Sequence, residues 1–153
     1  MSHTRVPDRY RTFRPLWGQV AAWFLGAVVV GGSLLVGLSA SGPLGSSAAS
    51  RASFVVFAIL AAWLLWRLGG VHATPSREGL KVRNVIYTRR LAWAEVVAVR
   101  FSANDPWVRL DLADGSTLAV MGIQRADGER GMADARRLLA LVHELGEGRE
   151  PVV

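Results

Sequence analysis

The first half of the chain contains a long run of apolar residues that no charge interrupts. No charged residue occurs between Arg14 and Arg51, and residues 16–38 inside that gap are almost wholly apolar. As a helix these roughly 23 residues would be about 34 Å long, enough to cross a hydrocarbon core of about 30 Å. Trp17 lies where an interfacial anchor belongs. The pattern predicts a first membrane-spanning helix.

A second apolar run follows and predicts a helix over about residues 52–68. Its uninterrupted part of about 15 residues gives only about 22 Å, but Arg51 and Arg67 can extend toward opposite headgroup layers. The link at 39–50 is rich in Gly and Ser and reads as a turn. Residues 16–70 are thus predicted to form a transmembrane hairpin. Two buried helices of a soluble protein are the alternative, but so small a domain could not bury them.

Basic residues on both sides of the hairpin predict its orientation. Residues 1–15 form a basic tail with four arginines and one aspartate, and the segment after the second helix is also basic. The positive-inside rule then places both termini in the cytoplasm, with two spans in the cell membrane. A cleaved signal peptide is the rival interpretation, since 38–40 or 47–49 could serve as a cleavage site. The long first run and the second run that follows it disfavour this rival.

From about Val71 the apolar residues alternate with polar ones, as in half-buried strands. Asn84 interrupts the alternation, and Asp114 with Gly115 is a hairpin turn signal. The predicted strands cover residues 80–83, 85–93, 96–101, 107–112 and a returning segment with Leu118 and Val120, and a sixth is allowed for at 70–74. In the third of them Val97, Val99 and Phe101 are predicted to share a face. Short connections between the strands predict an antiparallel meander.

The period changes again over residues 128–145, where apolar residues recur every three or four positions. This predicts an amphipathic helix that is too polar to span a membrane. Asp127 is its predicted N-cap and Gly146 its predicted stop. The helix is expected to lie across the open end or face of the sheet, so the pattern predicts a bent antiparallel sheet closed by one C-terminal helix.

Four short segments of this region resemble the bacterial PH-like domains. The similarity is to the membrane-anchored actinobacterial group called low-molecular-weight protein antigen six. The segments are 79–84 (GLKVRN), 89–96 (RRLAWAEV), 110–115 (LDLADG) and 124–127 (QRAD). The resemblance implies a two-helix transmembrane hairpin followed by an α+β PH-like domain at 71–148, an antiparallel meander or partly open barrel capped by the C-terminal helix, with a tail at 149–153. The resemblance does not imply a catalytic activity, because the family has no established active-site motif to transfer.

The residues themselves also argue against an enzyme. The chain has no cysteine, which excludes a disulfide framework, a thiolate metal site and a cysteine nucleophile. Its three histidines make no ligand-spaced pair, so neither a metal nor a cofactor is expected. Asp105 and Asp114 sit in turn contexts where aspartate bonds locally. The serines lack a nucleophile motif. Trp93 is interpreted as a core or rim plug of the barrel.

The candidate contact residues are basic. The chain carries a net charge of +6, and strand alternation predicts that several cations share the outer surface of the sheet. These residues are Lys81, Arg83, Arg89, Arg90, Arg100 and Arg109. They form either a solvated face or a contact surface for anionic lipid headgroups or an acidic partner. Nucleic acid is not expected, since no aromatic ladder or reading helix accompanies the charge.

These observations predict a non-enzymatic, membrane-anchored interaction or scaffold module at the cytoplasmic membrane. Its partner would be a protein, docked at an exposed sheet edge or in the groove beside the C-terminal helix. The alternative is anionic lipid headgroup sensing through the basic sheet face. An enzyme or transporter subunit has little support, because the predicted hairpin holds no intramembrane charge that would mark an ion or substrate path. Homo-oligomerisation is left open, since the glycines of the first helix permit it without showing the GxxxG spacing.

Overall fold

The computed structural model describes residues 8–39 and 47–146. The chain divides into two compact units, one formed by residues 18–70 and the other by the residues from Val71 onward together with those up to Trp17. Most of the predicted link at 39–50 and the predicted tail at 149–153 lie outside the described residues. Each unit is described by itself below.

The first unit contains two long apolar helices, α1 (Leu16–Ser39) and α2 (Ala48–Gly69). At 1.5 Å per residue they are about 36 and 33 Å long. Both are long and apolar enough to cross a membrane, with hydropathies of 2.1 and 1.9. The second helix begins four residues earlier than the sequence predicts, because the side chain of Ser47 accepts a hydrogen bond from Ser50 N and caps it.

Small residues let the two helices of this unit pack closely. A Cβ atom on Gly37 would lie 3.1 Å from Phe54 Cβ, and Ala58 is buried. Near the other end Gln19, the one strongly polar side chain of the predicted first span, donates from Nε2 to the Gly69 carbonyl at 3.0 Å. A polar group satisfied in this way costs much less in an apolar environment than one without a partner.

The second unit is built from two three-stranded antiparallel sheets and one helix. The first sheet has the order β1-β2-β3, and the second has the order β4-β5-β6. The strands are β1 (His72–Pro75), β2 (Gly79–Arg83), β3 (Thr88–Ala92), β4 (Val96–Arg100), β5 (Trp107–Leu112) and β6 (Thr117–Gln124), and the helix is α3 (Glu129–Gly146). The α+β architecture is the predicted one. The second predicted strand, 85–93, is shorter than expected, because residues 85–87 form a turn and the observed strand β3 begins at Thr88.

Alternate residues of the strands fill a single core between the sheets and α3. Trp93 closes one side of it, buried and with its indole N–H donating to the Ser76 carbonyl at 2.9 Å. The interpretation of Trp93 as a plug is confirmed. The other large core residues are Leu80, Val82, Leu91, Val108, Leu110, Leu112, Leu118, Val120, Ile123, Leu138 and Leu141.

The segment that precedes α1 belongs to this core, which the sequence did not reveal. Phe13 is 0% exposed and exchanges backbone hydrogen bonds of 2.8 and 3.0 Å with Ala73 of β1. The guanidinium of Arg137 lies 4.0 Å from the centroid of its ring. A Cβ on Gly122 of β6 would lie 3.0 Å from the Phe13 carbonyl oxygen, so only a glycine leaves room there.

The predicted N-cap of α3 is wrong. Asp127 instead accepts hydrogen bonds from the backbone N–H groups of Leu16 and Trp17, at 3.0 and 2.9 Å, and so satisfies the first turn of another helix. The start of α3 follows Gly128, which has a φ of +58°. That left-handed conformation favours glycine.

Candidate interaction surfaces

Three of the six predicted contact residues share the outer face of the first sheet. In β2 the core-facing residues are Leu80 and Val82, so Lys81 and Arg83 point outward. Arg90 of β3 lies directly opposite Lys81 and points the same way. Thr74 of β1 flanks Lys81 on its other side. The three cations therefore occupy one continuous surface.

Lys81 and Arg90, called the basic pair below, carry unbalanced charge. Among the residues that the structure describes, no carboxylate lies within ion-pair distance of either side chain. Like charges directly opposite each other on neighbouring strands repel. The pair borders a shallow cavity of about 440 Å³ that Thr74, Ser76 and Glu78 also line. An anion in this cavity would relieve the repulsion between the two cations.

Glu78 is the one carboxylate that lines this cavity. A hydrogen bond with Ser76 holds the pKa of Glu78 below its usual range. The carboxylate is therefore ionised near neutral pH, but it does not contact the basic pair. The two cations outnumber it, so the cavity keeps a net positive charge.

The other three predicted contact residues are each balanced by an aspartate. Arg89 lies on the opposite side of β3 from Arg90 and pairs with Asp114 at 3.3 Å. Arg100 of β4 pairs with Asp111. Arg109 of β5 approaches Asp105 at 3.8 Å. The surface of the basic pair therefore does not include Arg89, Arg100 or Arg109.

Asp105 and Asp114 are turn residues, as their contexts predict. Asp114 accepts hydrogen bonds from Ser116 N and Oγ at 2.8 and 2.6 Å, and Asp105 accepts from the same two atoms of Ser102. The hydrogen bonds from the serine hydroxyls are the largest cause of the lowered pKa of both carboxyl groups. Their local hydrogen bonds identify them as structural groups of the two turns.

A groove lies between β4 and α3. β4 is the end strand of its sheet, so within the described chain only β5 pairs with it. Trp93, Val99 and His143 line the groove, which has a volume of about 410 Å³, and Val97 and Leu139 line it from the two opposing walls. We call it the edge groove.

The position of Val97 differs from the predicted one. The register of β4 against β5 shifts between Val96 and Ala98, which is the signature of a bulge. As a result Val97 is 67% exposed and does not share the inward face of Val99. Leu139 is 41% exposed on the helical wall. The bulge thus takes Val97 off the face that it was predicted to share with Val99 and makes it part of an open apolar surface.

The turn between β2 and β3, residues 85–87, was not singled out by the sequence analysis. Ile86 is 83% exposed and Tyr87 is 46% exposed. Asn84 precedes the turn and is buried. Its side chain donates to the Ala119 carbonyl at 2.8 Å and accepts from Met121 N at 3.3 Å, which fixes the base of the turn to β6. The residue that interrupts the strand pattern is therefore a structural anchor.

The described residues contain no group of three or more side chains that could hold a metal ion. His72 lies on β1 and His143 lies near the end of α3.

Comparison with known proteins identifies the family. The model of the bacterial PH domain matches residues 71–140. Uncharacterized proteins of Mycobacterium bovis and Mycobacterium tuberculosis are 34% identical to the chain over 133 residues, covering 82% of it and 83% of their own length. The chain belongs to the bacterial PH domain family. No solved structure matches it.

The family assignment agrees with the predicted resemblance to bacterial PH-like domains. In this bacterial PH domain the two sheets and α3 fall largely within the matched residues. The mycobacterial relatives align over more of the chain than the domain alone occupies, so the shared sequence extends into the helical hairpin. Their names assign no activity, ligand or partner.

Proposed function

We propose that this bacterial PH domain protein is a non-enzymatic scaffold anchored in the cell membrane. Both apolar helices span the bilayer, and the arginines beside them hold both termini in the cytoplasm. The lengths and hydropathies of the helices support this topology. The four quoted segments and the mycobacterial relatives support placement in the low-molecular-weight protein antigen six group.

The observation that carries the proposal is the edge groove. An end strand leaves backbone N–H and C=O groups that another strand can pair with. Beside this edge, Val97 and Leu139 expose apolar surface on the two walls of the groove. The occupant is an extended segment of a partner protein. Its backbone pairs with β4, and its alternate apolar side chains lie between Val97 and Leu139.

Site-specific cross-linking in cells tests this proposal. A photo-reactive amino acid at Val97 or Leu139 of the full-length protein should capture the same partner, whereas one at the exposed Thr117 of β6 should not. A Val97→Asp substitution should abolish capture from position 139. Equal capture from all three positions, or capture that survives Val97→Asp, would remove the edge groove from the proposal.

Contact with anionic lipid headgroups is the second candidate function, and the basic pair favours it. Lys81 and Arg90 lack carboxylate partners among the described residues, unlike Arg89, Arg100 and Arg109. Each basic residue near an anionic surface contributes about 1 kcal/mol. In a tethered domain such contact would orient the domain.

Hydrogen exchange of the full-length protein in lipid nanodiscs separates this candidate from the first. Phosphatidylglycerol discs should protect β2 and β3 more than phosphatidylcholine discs do, and added salt should weaken the difference. The double variant Lys81→Glu with Arg90→Glu should abolish it. The matched double variant Arg100→Glu with Arg109→Glu should keep it. Equal protection in both lipids would exclude headgroup contact through the basic pair.

A further inference from the structure

The turn at residues 85–87 places apolar side chains where soluble hairpins carry polar ones. Turn tips favour Gly, Asn, Asp, Pro and Ser because these residues suit the backbone or bond to it. Here the tip is Val85, Ile86 and Tyr87, and Ile86 has an exposed fraction of 83%. Three successive apolar residues at one exposed tip form a candidate contact surface.

The turn is held in this exposed position by its base. Asn84 N donates to the Tyr87 carbonyl at 2.9 Å and closes the turn. The buried Asn84 amide is bonded to Ala119 and Met121 of β6. These hydrogen bonds hold the backbone at the base of the turn, and Ile86 is exposed at its tip.

The charged residues around the turn determine which kind of surface is complementary to it. Arg83 ends β2 immediately before the turn, and Arg90 lies three residues after it on the same outer face. Asp114 pairs with Arg89 at 3.3 Å, and Arg89 lies on the opposite side of β3 from Arg90. An apolar tip with cations behind it complements an anionic bilayer, in which acyl chains lie beneath phosphate groups.

The order of the chain points to the same surface. Only Gly70 and Val71 separate the end of α2 from the start of β1. His72, the first residue of β1, pairs with Arg83, the last residue of β2. The chain thus enters the first sheet at the end that carries the apolar turn, directly after a helix long enough to cross a membrane.

We propose that the turn at 85–87 inserts into the anionic leaflet beside the domain. Ile86 enters the boundary between headgroups and acyl chains, the Tyr87 ring lies at headgroup level, and Arg83 and Arg90 face the phosphates. This inference rests on the membrane anchoring proposed above. It requires no partner in the edge groove.

The absence of cysteine from the chain allows a direct test. Single variants Ile86→Cys, Val97→Cys and Leu35→Cys of the full-length protein are labelled with a small fluorophore and placed in phosphatidylglycerol nanodiscs. All three native side chains are highly exposed. Lipids with a nitroxide at a shallow acyl position should quench the label at 86 severalfold more than the label at 97. The label at 35, in α1, reports on the hairpin.

The outcomes separate the inference from the proposal beneath it. Strong quenching at 35 with equally weak quenching at 86 and 97 overturns turn insertion and leaves the anchoring intact. Absent quenching at 35 overturns the anchoring itself. Equal strong quenching at 86 and 97 also overturns insertion by the turn. In phosphatidylcholine discs the quenching at 86 should fall, and unchanged quenching there overturns the anionic surface as the target.

Discussion

The two sheets of the domain carry similar numbers of exposed cations but treat them differently. On the second sheet Arg100 and Arg109 lie directly opposite each other, and an aspartate accompanies each one. On the first sheet Lys81 and Arg90 also lie opposite each other, without such partners in the described chain. The number of basic residues in a sequence pattern therefore does not identify a binding surface. The better indicator is the charge that stays uncompensated around each basic residue in the folded domain.

The largest expected effect comes from removing a large side chain of the common core. The Phe13 side chain is fully buried in the core that both sheets line, and the Arg137 guanidinium lies over its ring. Phe13→Ala should lower the free energy of unfolding of the domain by about 3–5 kcal/mol. Hydrogen exchange of the β5 amides in the full-length protein measures this loss. A change below about 1 kcal/mol would show that the segment before α1 is dispensable to the core.

A smaller effect is expected from the hydrogen bonds that tie one sheet to the other. Asn84→Ala removes the amide that bonds to Ala119 and Met121 and leaves buried backbone groups without partners. The unfolding free energy should fall by about 2 kcal/mol. Faster hydrogen exchange should concentrate in β2, β3 and the turn. The control Ile86→Ala changes the exposed tip and should leave the exchange of β6 unchanged.

The charge difference between the sheets predicts small effects of opposite sign. Arg90→Gln removes a like-charge contact and should raise the unfolding free energy by about 0.2–1 kcal/mol. Asp111→Asn removes the negative charge that pairs with Arg100, so the repulsion between Arg100 and Arg109 is less compensated. This substitution should lower the unfolding free energy by about 0.2–1 kcal/mol. Chemical denaturation at low salt measures both, and high salt should shrink both. If both substitutions changed the unfolding free energy in the same direction, the two sheets would not differ in charge balance as described.

The smallest effect expected is the acid response of the turns. Hydrogen bonds from the serines lower the pKa of Asp105 and Asp114 in the folded domain below the usual 3.8. The stability from these bonds is fully present above that value and is lost as the pH falls below it through the lower folded-state pKa. The melting temperature between pH 5 and pH 2.5 tests this. Asp114→Asn should flatten the response, whereas an unchanged response would assign it to other carboxyl groups.

Sequence periodicity was enough to predict most of the architecture. The apolar run at 16–38 became α1, the alternation at 107–112 became β5, and the three- and four-residue steps became α3. These elements follow from local pattern, because each buries one continuous face. The bulge at Val97 did not follow, since its shift depends on how β4 pairs with β5.

The candidate site was less predictable than the fold. Strand alternation placed Lys81, Arg83 and Arg90 on an outer face, but it could not show which arginines meet an aspartate. Arg89 meets Asp114, which is 25 positions away, and such pairs form only when the chain is folded. The role of Phe13 could not be predicted for the same reason. Its segment is too short to show a hydrophobic period, and its backbone partner, Ala73, lies 60 positions further along the chain.

The pairing of Phe13 with Ala73 makes the helical hairpin an insertion within a domain. During synthesis the segment around Phe13 emerges first, and it has to wait until both helices and then β6 with Gly122 have been made. Completion of the domain core therefore has to follow synthesis of the whole helical hairpin.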